Sequence, residues 1–264
     1  VPRDLTPPPL SPGEPEPGKR VRQTVQSFAE TEVHHTLYLP KDWSPSEKFP
    51  VLVEYAGNGD YKNDYGDVCT GRVEDCVLGY GVGGGSRFIW ICLPFVSESG
   101  TENQIRWWGS VEKTIDYCRG AVDEVCEHWG GDRDQIFLMG FSRGAIACNF
   151  IGLHNDEIAS LWRGFICHSH YDGVKEWNYA GSDRAAAAVR LNRLEGRPQW
   201  ISHEESTQPT REYLMEAAPE GNFTFVDIPY RNHSAEWVLC DIPERQALRD
   251  WIEAVLSNDV GGRP

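Results

Sequence analysis

Positive charge is scarce in this chain. It carries 25 Lys and Arg against 40 Asp and Glu, a formal net charge of −15. Phosphate backbones and anionic membrane surfaces are bound through clustered Lys and Arg, so this balance argues against nucleic acid and anionic lipid as partners. It also disfavours polyanionic substrates in the absence of a local basic patch. Long apolar runs are missing too, and none approaches the ~20 residues that a membrane-crossing helix needs. CxxC pairs are absent although the chain has eight cysteines, so a structural zinc site is not expected. The Asp60, Asp64 and Asp67 cluster lacks the spacing of a calcium loop and reads as a solvated acidic loop. No metal and no cofactor are expected.

Methionine at the start is absent as well. The chain opens at Val1 with "VPRDLTPPPLSPGEPEPGKR". Prolines at this density build neither ladders nor helices, so residues 1–28 read as an extended Pro-rich tail. Such a start suits a mature secreted or periplasmic protein, with the cytoplasm left open. Among the cysteines, Cys69 and Cys76 flank a polar loop and make the best disulfide candidate. Cys118 and Cys126 lie two turns apart on one predicted helix, about 12 Å, too far to bridge each other.

What is present is an alternation of strand and helix patterns. Hydrophobic residues make up 40% and aromatics 11%, enough for a sizeable core. "EVHHTLYLP" alternates polar and apolar residues as a half-buried strand does. "FPVLVEY" and "RFIWICLP" are nearly continuous apolar runs, the mark of strands covered on both faces. Ser110–Trp129 places Val111, Ile115, Cys118, Val122 and Val125 on one helical stripe. Further strands are expected at 135–140, 163–171, 198–203 and 222–229, and helices at 143–153 and 243–256, the last opened by Pro243. The order predicts one α/β domain over residues 29–258. Its central sheet is mostly parallel, with helices on both faces. A lid insertion is expected at 174–197 and a short tail at 259–264. Gly79–Gly84 matches G-x-G-x-x-G, but a strand follows it where a dinucleotide site needs a helix, so it reads as a loop.

One stretch carries chemistry. In "IFLMGFSRGAIA" an apolar strand runs into Gly140-Phe141-Ser142-Arg143-Gly144, and a small-residue helix follows. A G-x-S-x-G sequence at a strand–turn–helix junction lifts the serine oxygen above the sheet, and the glycines let backbone pass closely. The N–H of the next residue, Arg143, then faces the oxygen that turns negative in acyl transfer. A serine nucleophile needs a base, and the base needs an orienting acid, in the chain order Ser, acid, His. Of eight histidines, His233 lies between the last strand and the last helix, where the base belongs. For the acid, Glu205 after "QWISH" is the first choice, Asp172 after "FICHSHY" the main rival and Glu204 the third. One residue of register decides which carboxylate points inward. The second oxyanion donor is expected from Gly57 or Asn58, in the loop after "VLVEY". Trp107, Trp108, Trp177 and Trp237 are candidate pocket walls. Asn222-Phe-Thr and Asn232-His-Ser match the glycosylation sequon.

These residues resemble a known family. "HHTLYLPKDWSPSEKFPVLVEYAGNG", "WGGDRDQIFLMGFSRGA" and "RNHSAEW" are similar to bacterial α/β-hydrolases of the polyhydroxybutyrate depolymerase, feruloyl esterase and carbohydrate esterase group. The resemblance covers roughly residues 30 to 256. It implies the α/β-hydrolase fold and serine esterase activity, with Ser142 as nucleophile and His233 as base. The substrate it implies is a small carboxylic ester or a polysaccharide-linked one. It does not settle the acid. Family members often carry His-Gly…Asp here, whereas this chain has His203-Glu204-Glu205, with Thr207 nearer the usual Asp register. The Glu-Glu-Ser-Thr run is reminiscent of cholinesterase-like enzymes, whose acid is Glu. The oxyanion loop has Ala56-Gly57 in place of His-Gly. A serine peptidase of the same fold and a binding protein that keeps the fold are the two rival expectations.

Overall fold

A computed structural model describes residues 1–258; the tail expected at 259–264 lies outside the described residues. Eight strands form one sheet: β1 (Arg20–Gln23), β2 (His35–Tyr38), β3 (Phe49–Tyr55), β4 (Ile89–Leu93), β5 (Gly131–Phe141), β6 (Gly164–His168), β7 (Gln199–His203) and β8 (Phe223–Asp227). Their order across the sheet is β1-β2-β4-β3-β5-β6-β7-β8. β2 pairs antiparallel with both β1 and β4, and every pairing from β4–β3 to β7–β8 is parallel. The helices are α1 (Leu78–Gly83), α2 (Val111–His128), α3 (Arg143–Phe150), α4 (Asp156–Ala159), α5 (Arg184–Leu191), α6 (Gln208–Ala217) and α7 (Pro243–Ser257).

The nearly continuous apolar strands have two faces to satisfy. Val51, Val53 and Tyr55 of β3 join one buried cluster with Ile115 and Val122 of α2 and Ile146 of α3. Leu52, between them, joins the other with Trp90 of β4, Met139 of β5 and Leu248 and Ile252 of α7. A side-chain period of two therefore feeds two cores, so neither face shows a polar alternation. Ser110 caps α2 by accepting the Lys113 N–H.

Three expectations need correction. The Pro-rich start is extended, as proline dictates, but it is docked rather than free. Asp4 and Leu5 donate backbone N–H groups to Leu239 O, and Arg245 grips the Asp4 carboxylate at 2.6 and 2.8 Å. Residues 20–23 are the edge strand β1. Cys69 and Cys76 are not bridged; all eight cysteines are free thiols. Cys76 turns instead toward Cys92 and Glu54, whose ligand atoms lie within 4.8 Å of one another. That cluster does not suit a cation. Glu54 accepts from Val77, Leu78 and Gly79 N–H and from Trp90 Nε1, and the Arg20 guanidinium stands 3.5 Å from Cys92 Sγ.

The third correction concerns Gly79–Gly84, read as a loop. It is mostly helix α1, whose first N–H groups are held by Glu54. The glycines serve close packing. A Cβ on Gly79 would stand 2.1 Å from the Trp90 ring, and one on Gly81 would stand 2.2 Å from Val238. Gly79→Ala should therefore lower stability by about 1–3 kcal/mol through overpacking, read as a fall in the urea midpoint; an unchanged midpoint would show that α1 can move away.

Candidate active site

Four loops meet at the carboxyl end of the parallel sheet. Ser142 follows β5, Ser169 follows β6, Glu204 follows β7, and His233 lies beyond β8. The register fixes this convergence: Phe141 pairs with His168, and His168 with Ser202, so the strands end side by side.

Ser142 sits in the elbow expected from its sequence. Its backbone has φ +54° and ψ −115°, a conformation that costs an L-residue energy and clusters at functional sites. The flanking glycines are obligatory there. A Cβ on Gly140 would meet Gly144 C at 2.2 Å, and one on Gly144 would meet Tyr55 O at 2.0 Å. The Ser142 N–H donates to His168 O at 2.9 Å, which fastens the turn to the neighbouring strand.

The Ser142 hydroxyl lies 3.2 Å from His233 Nε2. On the other side of the ring, Nδ1 is 2.6 Å from Glu204 Oε1. A carboxylate accepts, so Nδ1 carries the ring proton. Nε2 is then a free lone pair and accepts from Ser142 Oγ–H. Burial pushes the Glu204 carboxyl up, but the His233 hydrogen bond and the nearby His168 outweigh it and hold the group at about 2. Glu204 is thus the acceptor that Glu205 was expected to be. Glu205 is exposed, and its backbone N–H donates to His203 Nδ1. Asp172 is committed elsewhere, paired at 2.8 and 3.0 Å with Arg190 in a buried ion pair.

Arg143 opens α3, so its N–H has no intrahelical acceptor. The loop after β3 lies against this corner. A Cβ on Gly57 would meet the Phe141 ring at 3.0 Å, and Asn58 Oδ1 accepts the Trp107 N–H at 2.8 Å. The Arg143 side chain is buried beneath, with its guanidinium 4.1 Å from the Phe95 ring centroid and donating to Trp107 O at 2.7 Å. Backbone from 56–58 and 104–107 is thereby pinned beside the serine.

Two supports escaped the sequence reading. Asp67, read as a solvated charge, is buried. It accepts the His233 backbone N–H at 3.0 Å, the Asn232 amide at 2.6 Å and the Asn63 amide at 2.7 Å. Desolvation raises its carboxyl, and these donors bring it below its usual value. The Asn232 amide of the sequon is thus occupied in holding the histidine loop. The second support is His168, whose Nε2 faces Ser234 O at 3.3 Å and whose Nδ1 faces Ser202 Oγ at 3.0 Å. Burial lowers it to about 4, so it is neutral at pH 7 and donates from Nε2 to the loop carbonyl. A local signal existed for neither role, because the contacts to the histidine loop span 165 and 166 positions from Asp67 and 66 from His168.

Aromatic rings line the approach. The Tyr61, His170 and Phe141 centroids stand 5.0, 5.3 and 4.7 Å from that of His233. Trp177 lies 5.4 Å from both His170 and Trp107. Trp177 comes from the segment 174–197, which carries α5, capped by Asp183. Trp237 is fully buried in the core and walls nothing. A separate cleft of about 620 Å³ is lined by Pro7–Leu10, Arg20, Cys69, Gly57 and Phe141; Ser142 and His233 do not line it.

Comparison with known proteins places the architecture. No family model matches the chain, and no curated protein sequence matches it. Solved structures do match. One is Porphyromonas gingivalis dipeptidyl peptidase 4, with TM-score 0.57, 15% identity, and coverage of 91% of this chain and 35% of that one. Another is esterase 2 of Thermogutta terrifontis phosphorylated by paraoxon, with TM-score 0.57, 13% identity, and coverage of 92% and 95%. A third is a mutant feruloyl esterase module from Clostridium thermocellum complexed with sinapinate, with TM-score 0.53, 14% identity, and coverage of 90% and 91%. The chain spans only 36% of the length of a putative dipeptidyl aminopeptidase IV from Bacteroides ovatus, 62% of that of a thermostable esterase and 35% of that of the Porphyromonas peptidase. At these identities the likeness shows the fold: the chain has the α/β-hydrolase fold, as do these esterases and peptidases.

The buried groups set a pH dependence. His168 is held at about 4 by burial, so stability present above pH ~6.5 should fall as pH drops toward 4, where the folded state must charge the ring. Glu204, depressed to about 2, contributes stability that is complete above pH ~4.5 and lost as pH falls toward 2. Urea unfolding of wild type and Glu204→Gln should differ at pH 6 and converge near pH 2. A difference independent of pH would show that the ionised carboxylate is not what the hydrogen bonds stabilise.

Proposed function

We propose that this protein is a serine hydrolase that cleaves carboxylic esters through an acyl-enzyme. The observation that carries the reading is the line Ser142 Oγ, His233 Nε2, His233 Nδ1, Glu204 Oε1, with a proton assigned to each gap and each distance within hydrogen-bond reach.

The chemistry follows from that line. His233 Nε2 takes the Ser142 proton as Oγ attacks the ester carbonyl carbon. Nδ1–H remains on Glu204, which stabilises the imidazolium without accepting the proton outright. The developing oxyanion is received by the Arg143 N–H and by a backbone N–H of Gly57 or Asn58, in the loop packed against the elbow. Collapse breaks the ester C–O bond, and the alcohol leaves with the proton from His233. Water then gives its proton to His233 and attacks the acyl carbon, releasing the acid and restoring Ser142. The cycle balances with ester and water alone.

The aromatic rings near His233 support a reading of the substrate class. Tyr61, His170, Trp107 and Trp177 form stacking surfaces beside the base. They favour an aromatic acyl group or a sugar-linked ester over a plain aliphatic chain. Feruloyl esterases share the fold, one complexed with sinapinate and one with ferulic acid. Peptidases share it as well, so peptide cleavage is the second reading.

Turnover of p-nitrophenyl acetate and methyl ferulate tests both the class and the triad. Ser142→Ala should lose turnover and fluorophosphonate labelling. Glu204→Gln should lose on the order of 10³- to 10⁴-fold in kcat. Glu205→Gln should stay near wild type. Full activity in Ser142→Ala would refute the nucleophile. Cleavage of dipeptidyl amides with no ester turnover would give the peptidase reading.

A further inference from the structure

Ser169 stands inside the relay without belonging to the usual three. Its Oγ donates to Glu204 Oε1 at 2.9 Å and lies 3.0 Å from His233 Nδ1. With the 2.6 Å contact between those two groups, the three atoms close a triangle. The bonding is determined. The hydroxyl proton has the carboxylate to go to, and the single Nδ1 proton faces two acceptors, Glu204 Oε1 and Ser169 Oγ.

The backbone at Ser169 is also unusual, with φ +82°. Glycine adopts that region freely and serine rarely does, so a side chain here is retained against a conformational cost. The position is over-determined by its neighbours. Ser169 N–H donates to Ser202 O, and His168 O accepts Ser142 N–H, so residues 168 and 169 tie the nucleophile's corner to the acid's strand.

Glu204 itself explains what the hydroxyl does. Its Oε2 is buried and unpartnered among the described residues. His203 Nδ1 is 3.5 Å from it, but that nitrogen accepts the Glu205 N–H and so has no proton to give when neutral. The carboxylate is therefore held through Oε1 only, and Glu has one more rotatable bond than Asp. We propose that Ser169 is a positioning residue of the catalytic relay, whose hydroxyl locks the Glu204 carboxylate onto His233 and shares its Nδ1 proton. This rests on the hydrolase reading above. The other polar or charged groups facing the pair are His168 and His203 toward Glu204, and His170, Tyr61 and Asp67 around His233.

Two variants separate hydroxyl from backbone. Ser169→Gly removes the hydroxyl and relieves the strain, whereas Ser169→Ala removes the hydroxyl and keeps it. Both should lower kcat about 10- to 100-fold at little change in KM. Both should also move the acid loss of the stability that Glu204 contributes to higher pH, read by urea unfolding, because Glu204 loses a donor to its ionised form. Proton NMR gives a readout independent of turnover: the low-field His233 Nδ1 proton, sharp in wild type, should broaden through solvent exchange in both variants. Wild-type kinetics and an unchanged resonance in Ser169→Gly would overturn the proposal, as would a defect in Ser169→Ala that Ser169→Gly restores. A wild-type protein that turns over no ester and resists fluorophosphonate would sink the hydrolase reading instead, while the resonance would still decide the place of Ser169.

Discussion

The hydrogen bond between Glu204 and His233 decides the chemistry of everything around it. By fixing the proton on Nδ1 it leaves Nε2 as a lone pair aimed at Ser142, and only that tautomer can take a proton from the serine. The bond spans 29 residues of sequence and joins loops that follow different strands. It therefore depends on the sheet holding its carboxyl-terminal edge in register. The two-sided burial of β3, β5 and β6 is what makes that edge rigid.

Local patterning made much of this legible. The apolar runs of β3 and β4, the amphipathic stripe of α2 and the two glycines about Ser142 each state their requirement within a dozen residues. The elbow was readable because its steric demand is local: Gly140 and Gly144 must touch each other's backbone, and no other residue fits. The loop that carries His233 was expected from the order of elements, and its ring stands 3.2 Å from the Ser142 hydroxyl.

The carboxylate that meets His233 was not readable, for a physical reason visible at residues 203–205. β7 ends at His203, and the chain turns at once, with the Glu205 N–H bonded back to the His203 ring. That turn sends Glu204 inward and Glu205 into solvent. A period-two pattern cannot be extended past the last paired residue, so adjacent identical carboxylates are indistinguishable from sequence. Asp67 and the docked start of the chain were missed on similar grounds. An acidic loop and a Pro-rich tail look solvated until a distant partner, His233 or Arg245, is brought against them.

Those distant partners give the histidine loop its character. It is coil from Ile228 to the turn at 235–239, with little regular structure of its own. It is held from three directions: by Asp67 at the His233 and Asn232 nitrogens, by His168 at the Ser234 carbonyl, and by Glu204 with Ser169 at the ring. The anchors come from three separate places in the chain: Asp67 before α1, His168 and Ser169 at the end of β6, and Glu204 after β7. A loop free to move pays orientational entropy to bring its imidazole to the serine, and anchors from three directions offset that cost. The neutral state of His168 belongs to the same logic. A charged ring there would carry a desolvation cost, whereas a neutral one donates to a backbone carbonyl. The site thus aims two carboxylates, Glu204 and Asp67, at the histidine loop and uses the neutral His168 ring and the Ser169 hydroxyl for the rest of its framework.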